Sequence, residues 1–369
     1  MLWVWADSGP TAFIDSAVRG PRIPSFLEEH TDEYVPLFPV MARDLMYGHN
    51  LLVENVMDPS HVPFAHHGVQ GSRDAARPLR ITRLNTEDGQ DPSLLKFDIQ
   101  TLGVPAGSGK RKGPPRKRNL EFIFPSAVDY HSMPPGEAGG LPTFLSTFYC
   151  TPTSVGKCRI LSQFMIRRDT KPGGNMLRRL AKLLNKVKPP KWLLHMGSNK
   201  VLDGDMILLH NQGHTMERLR NVRGKLKHQD MFYLAAGADG AVVDLLEWYH
   251  DPARGGGGPR GPGGELLSDG PEETREEVIL DRYEQHTKHC HACSGALRVV
   301  ESLKPVAQWA TVTLAATFLS LALRAESGVA VLSKGWPLVL CTVICVVAIK
   351  LLTEIQRRLR FVPYEHHSS

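Results

Sequence analysis

Asp58-Pro-Ser-His61-Val-Pro-Phe-Ala-His66 sets two imidazoles five residues apart, with a carboxylate three residues before the first. Completed by one more carboxylate from elsewhere in the chain, such a pair is what a facial triad on non-haem Fe(II) requires. Three ligands fill one face of the octahedron and leave the other for O2 and substrate. Asp58 is placed to accept a hydrogen bond that fixes the tautomer of a ligating histidine. The chain has 16 histidines, so a spacing of this kind also arises by chance, and the neighbourhood has to carry the reading. Asn55 and Asp58 form an Asn-x-x-Asp run, and Leu51, Leu52 and Val53 make an apolar helical approach to it. His67 falls one residue out of register and is expected to face away.

Working outward, residues 36–67 read as a helical approach that ends in this motif. Short apolar or β-rich runs follow at 79–84, 95–102, 119–125, 143–151 and 157–167, separated by Pro, Gly and Ser, as in an antiparallel sheet. Helical patterns return at 175–187, 192–218 and 236–250. Strands flanked by helices define an α+β domain. With 369 residues the chain holds one large core domain plus an extension.

That extension begins with a linker at 251–273, whose stretch Arg-Gly-Gly-Gly-Gly-Pro-Arg-Gly-Pro-Gly-Gly-Glu from Arg254 cannot pack a core. Two apolar runs, 306–323 and 335–352, each offer about the 18 residues that a bilayer-spanning helix minimally needs. The short link at 324–334 makes a two-helix transmembrane hairpin the natural reading, and Arg357, Arg358 and Arg360 would stay on the side of the catalytic domain. The net charge is +6. No nucleic-acid motif accompanies it and few aromatics lie near the basic runs, so a membrane surface or an acidic substrate is expected rather than nucleic acid. A basic Gly/Pro loop at 106–118 reads as a solvated insertion or a contact with anionic lipid. Residues 176–188 carry an apolar stripe among Arg and Lys that suits an in-plane membrane helix or a helix packed on the core.

Six scattered cysteines, Cys150, Cys158, Cys290, Cys293, Cys341 and Cys345, make no disulfide framework. Cys290 and Cys293 form a Cys-x-x-Cys with His286, His289 and His291 nearby. A closed zinc site needs four ligands in firm geometry, and this histidine spacing matches no standard finger. A reversible dithiol with a pKa lowered by its surroundings is therefore the preferred reading.

Three blocks carry a resemblance. The run of 25 residues beginning Glu54-Asn-Val-Met-Asp58 and ending Ala-Arg77-Pro78 resembles the iron-site segment of the pheophorbide a oxygenase family, Rieske-type oxygenases of chlorophyll breakdown. Val201-Leu-Asp-Gly-Asp205-Met resembles the segment with that family's third iron ligand. The stretch from Asp281-Arg-Tyr-Glu to Cys290-His-Ala-Cys293 resembles its C-terminal Cys-x-x-Cys block, followed there by a membrane anchor. The resemblance implies a helix-grip catalytic domain with a long helix across a curved sheet. It implies mononuclear Fe(II) on His61, His66 and Asp205, and a redox-regulatory Cys290/Cys293. It further implies O2-dependent monooxygenation of a tetrapyrrole such as pheophorbide a, with ferredoxin or another reductant supplying electrons, in a chloroplast membrane (envelope or thylakoid). Asp58 would bridge electrons arriving from the [2Fe–2S] Rieske cluster of a neighbouring subunit. A Rieske cluster is bound by Cys-x-His and Cys-x-x-His, and no cysteine here is followed by histidine at those positions. The cluster is thus expected in the family but not ligated by this chain, and a homo-oligomer or a Rieske-bearing partner would have to supply it. The opening residues Met1-Leu-Trp-Val-Trp-Ala-Asp-Ser-Gly-Pro resemble the exit of a Rieske domain, so an N-terminally incomplete chain is expected. The resulting scheme has a Rieske-exit remnant at 1–35 and an iron domain at 36–250. The linker then leads to a Cys-x-x-Cys segment at 274–303 and a hairpin at 304–360. The alternatives are a non-catalytic redox-sensing membrane component similar to the Tic55 branch, or an oxygenase of another tetrapyrrole or a sterol.

Overall fold

Residues directly opposite one another in a sheet share a face, and alternate residues along a strand occupy opposite faces. One row across this chain's sheet reads Leu95, Phe122, Val128, Phe148, Ser162 and Met41, and the next reads Lys96, Glu121, Asp129, Thr147 and Gln163. The apolar row explains why these runs form strands with one face for helices to cover. The computed structural model describes residues 13–14, 17, 31–84, 94–103, 117–124, 126–134, 140–169, 189–224, 231–250, 275–324 and 328–363.

The strands are β1 (Tyr34–Pro36), β2 (Met41–Leu45), β3 (Leu79–Arg83), β4 (Leu94–Thr101), β5 (Lys117–Ile123), β6 (Ala127–Ser132), β7 (Phe144–Ser154) and β8 (Lys157–Arg167). They form one antiparallel sheet of order β1-β8-β7-β6-β5-β4-β3, with β2 also on β8. β3 to β8 run as a meander, and β1 and β2 follow one another along β8. The helices are α1 (His49–Met57), α2 (Val62–Ala65), α3 (Lys191–Arg223), α4 (Gly240–His250), α5 (Glu276–Ile279), α6 (Arg282–Gln285), α7 (His291–Arg324) and α8 (Gly328–Arg360). An α+β architecture with an antiparallel sheet and long helices is therefore present.

The chain divides into two units, the first comprising residues 1–190 and 197–279 and the second 191–196 and 280–369. In the first, α1 lies over β6, β7 and β8, and α4 packs on β3 and α1. Trp248 of α4 is 1% exposed and sets its indole against Phe122 and Phe124, with ring centroids 5.5 and 4.7 Å apart. Gly240 lets α4 begin close to the sheet, since a Cβ there would come within 2.9 Å of the Ile81 carbonyl oxygen. Tyr130 donates its hydroxyl to the Val56 carbonyl at 2.6 Å, tying the end of α1 to β6.

In the second unit α7 and α8 pack along one another. Lys304 donates to Gln356 Oε1 at 3.0 Å, and Arg360 pairs with Glu301. Both helices are long and apolar enough to cross a membrane, at 34 residues for α7 and 26 from Gly335 in α8. At about 1.5 Å per residue the shorter span reaches about 39 Å, against a hydrocarbon core of about 30 Å.

Several expectations change. The approach at 36–67 is not helical throughout, because β2 occupies Met41–Leu45 before α1 begins. β6 was not foreseen, since Ala-Val-Asp-Tyr-His-Ser mixes inward apolar residues with an Asp and a His. α7 runs unbroken past residue 303, and α8 starts at Gly328 rather than 335, which shortens the link. The helix expected at 175–187 and the linker at 251–273 lie outside the described residues, as does most of the basic loop and of the 1–35 segment.

Candidate metal centre

α1 ends at Met57, and Asp58 caps it with its N–H on the Asn55 carbonyl. Pro59 precedes a single helical turn, α2, with Pro63 in its opening positions, and in it the His61 carbonyl accepts from the N–H of Phe64 at 2.9 Å and Ala65 at 2.8 Å. That turn brings residues five apart onto one side. The rings of His61 and His66 meet edge to face with centroids 5.1 Å apart, and their Nε2 atoms are 3.2 Å apart. From α3, Asp205 places Oδ2 3.4 Å from His66 Nε2. His61, His66 and Asp205 thus converge on one point.

These donors fit a metal such as Fe(II). Ligands about 2.1 Å from an ion and at right angles lie about 3 Å apart, close to both separations. His61 Nδ1 is hydrogen-bonded to the Asp58 carbonyl, which leaves Nε2 as the lone-pair nitrogen facing inward. His66 is 3% and Asp205 4% exposed, whereas His61 is partly open, so approach is from the His61 side.

The electrostatics point the same way. Burial, helped by neighbouring His61, lowers the His66 pKa to about 4. Burial also lowers that of His61, against the pull of Asp58. The Asp205 carboxyl is pushed up to about 8 by burial, against a hydrogen bond from Asn55. Two neutral imidazoles and one buried carboxylate without a cation form a donor set that a divalent ion stabilises, because it needs no proton from the imidazoles and offsets the carboxylate's lost hydration. Glu54, also on α1 and half-buried, has its carboxyl raised to about 7 by burial and by Asp58, so it can hold a proton.

The Asp58 side chain behaves differently from expectation. Its Oδ1 accepts from the backbone N–H and hydroxyl of Ser60, and its Oδ2 is 3.8 Å from His61 Nδ1. The carbonyl of Asp58, rather than its carboxylate, orients the ring. His67 is exposed and accepts from the Arg73 N–H.

Asn55 of the Asn-x-x-Asp run holds Asp205, and two further supporting residues escaped the sequence reading. Arg43, buried on β2, donates to Asn199 and to Asp203 Oδ1 at 2.7 Å, fixing α3 beside the sheet. Gly204 allows α3 to approach α2, because a Cβ there would lie 2.8 Å from the Ala65 carbonyl oxygen and 3.1 Å from His66 Nδ1. Gly204→Ala should therefore displace His66, costing about 1–3 kcal/mol of stability and reducing bound iron. Thermal unfolding and metal analysis of the same preparation check both effects. Unchanged iron content would show that α2 yields without moving the imidazole.

Residues 122–223 match the family described as Pheophorbide a oxygenase, a segment that contains Asp205. Chloroplastic pheophorbide a oxygenase of Oryza sativa subsp. japonica is 29% identical over 331 residues, covering 86% of this chain and 56% of its own. The chain is thus similar to the pheophorbide a oxygenases over most of its length. Flavonoid 8-hydroxylase 2, chloroplastic, of Ocimum basilicum is 26% identical over 82% of this chain and 53% of its own. Protein TIC 55, chloroplastic, of Pisum sativum is 24% identical over 74% and 49%. The chain spans about half the length of these curated relatives.

Proposed function

We propose that the chain is a monooxygenase subunit that holds one Fe(II) on His61, His66 and Asp205 and inserts oxygen into a large apolar tetrapyrrole of the pheophorbide a type. The observation that carries this reading is the convergence of two imidazole Nε2 atoms and one buried carboxylate within 3.4 Å of a neighbour. The resemblance to pheophorbide a oxygenase supports the substrate class. The balance is O2, two electrons and two protons with the substrate, giving the oxygenated product and water.

Iron bound there supplies O2 activation with electrons delivered from a reductant such as ferredoxin through a Rieske [2Fe–2S] cluster that this chain does not ligate. The remaining work falls to the chain's own residues. The Asp58 carbonyl keeps His61 in the ligating tautomer, and Asp58 is the proposed bridge toward the incoming carrier. Asn55 holds the Asp205 carboxylate aimed at the histidines. Leu51, Leu52, Val53 and Met57 of α1 are buried and exclude water from that side. Exposed apolar residues such as Val306, Trp309, Leu340 and Ile344 on α7 and α8 suit a lipid environment, so attachment to a chloroplast membrane is part of the proposal.

Metal analysis with single-turnover oxygenation tests this reading. The detergent-purified chain should hold about one iron. It should also convert pheophorbide a when a Rieske-bearing partner, ferredoxin and O2 are supplied. Absence of iron, with a dithiol that titrates reversibly, would favour the TIC 55-like redox component instead. Iron without turnover of pheophorbide a would redirect the substrate to another tetrapyrrole, a flavonoid or a sterol.

A further inference from the structure

A second donor cluster lies wholly within the second unit and takes no part in the chemistry above. His195 in the first turn of α3, His286 after α6, Cys290 before α7 and Cys293 in the first turn of α7 turn one ligand atom each toward a common point. Cys290 Sγ is 3.3 Å from His195 Nδ1, and Cys293 Sγ is 3.7 Å from the same nitrogen and 3.4 Å from His286 Nε2. We propose that these four residues form a closed, tetrahedral Cys2His2 site for a divalent metal ion of zinc type.

Three observations support a metal over a bare dithiol. Sulfur at about 2.3 Å and nitrogen at about 2.1 Å from a tetrahedral ion lie about 3.5 Å apart, and the three separations bracket that value. The sharing pattern is also wrong for hydrogen bonds alone. His195 Nδ1 faces both sulfurs and Cys293 Sγ faces both rings, yet a single proton joins only one pair at a time. One ion satisfies all four. Finally, Cys293 is buried with Leu297 and Leu359, packed by Trp192, Met196 and Tyr283, a poor position for a thiol that must meet a partner.

The donor count separates this cluster from the iron site. Three ligands leave positions open for reactants, whereas four close a structural site. The spacing also excludes a two-iron cluster, which keeps cysteines and histidines on separate irons, while here each sulfur touches an imidazole. The surrounding chain is braced: Thr287 donates to the Leu359 carbonyl at 2.6 Å, Arg282 to that of Arg358 at 2.6 Å, and the Ser294 N–H to that of Cys290 at 2.8 Å. His195 Nε2 is buried without a hydrogen-bond partner, so this ligand lacks the outer support that the braced segment around His286 enjoys. An ion would tie the first turn of α3 to the start of α7 within this unit.

The experiment uses the full chain purified in detergent from medium containing both zinc and iron. About one zinc per chain should be found, and His195→Ala and Cys293→Ser should each lose it while keeping iron. His66→Ala should do the reverse. Because Cys293→Ser can unfold this unit, two measurements on the unaltered chain accompany it. Cobalt(II) exchanged into the site should give intense visible bands with thiolate charge transfer. An organomercurial should release the metal as two thiols react. Freely reactive thiols without zinc would overturn the proposal in favour of a dithiol. Iron with acid-labile sulfide would overturn it in favour of a cluster, and zinc that persists in both variants would place the ion elsewhere.

Discussion

Asp205→Ala is expected to strip the iron from the chain while leaving the fold assembled. Of the three donors Asp205 is the only one that brings negative charge, and it comes from α3, whereas both histidines come from the turn around α2. Without it, two neutral imidazoles 3.2 Å apart remain, a set that holds a divalent ion weakly. Residues that merely support a ligand change metal affinity by about 10–100-fold, and loss of the charged ligand itself should exceed that. Asn55→Ala provides the calibration, since it removes only the hydrogen bond to Asp205 and belongs within the 10–100-fold range. Equilibrium titration of the apo-chain with Fe(II) under anaerobic conditions reads both variants. Removing the buried carboxylate from the metal-free chain also lifts a desolvation cost, so stability without iron should hold or rise. An Asp205→Ala chain that still binds iron like the parent would assign the third ligand elsewhere and sink the proposed triad.

The contrast between Asp205 and Asp203 explains how far the sequence could be read. On a helix, residues two apart diverge by about 200°, so only one of them can look toward His66. Periodicity separates the two faces but does not say which one meets the histidines, and the resemblance of Asp-Gly-Asp205-Met supplied that choice. Local spacing carried more weight at His61 and His66, because a single turn closes the contact between them. Features that depend on distant chain were out of reach. Arg43 sits in Met-Ala-Arg43-Asp-Leu, a run that reads as too charged for a covered strand, and its partner Asp203 lies 160 residues on. The second donor cluster failed for the same reason. Three histidines near Cys290 invited a local search, yet only His286 belongs, and His195 comes from 95 residues upstream. Gly204 carries no signal at all in one sequence, since its importance is the 2.8 Å approach of the Ala65 carbonyl.

Asp203→Ala should be the most destabilising change near the site, by about 3–5 kcal/mol. Arg43 is 0% exposed, and its guanidinium is held by Asn199 and by Asp203 at 2.7 Å. Deleting the carboxylate leaves a buried cation with too little compensation, and its lost hydration cannot be recovered without opening β2 from α3. The same reasoning predicts an asymmetry. Removing both members with apolar residues of similar volume, Arg43→Met with Asp203→Leu, should recover most of the loss, because a buried pair repays little more than its own desolvation. A double-mutant cycle by denaturant unfolding of the first unit's transition measures the coupling. If the double variant is as unstable as Asp203→Ala, the pair contributes more than charge cancellation, and its hydrogen-bond geometry with Asn199 is what aligns α3. Iron binding then separates position from stability. The double variant, well folded but without the fork that sets α3, should bind iron more weakly than the parent if Arg43 positions Asp205. It should bind iron equally if Gly204 packed on Ala65 and His66 is sufficient to set that register.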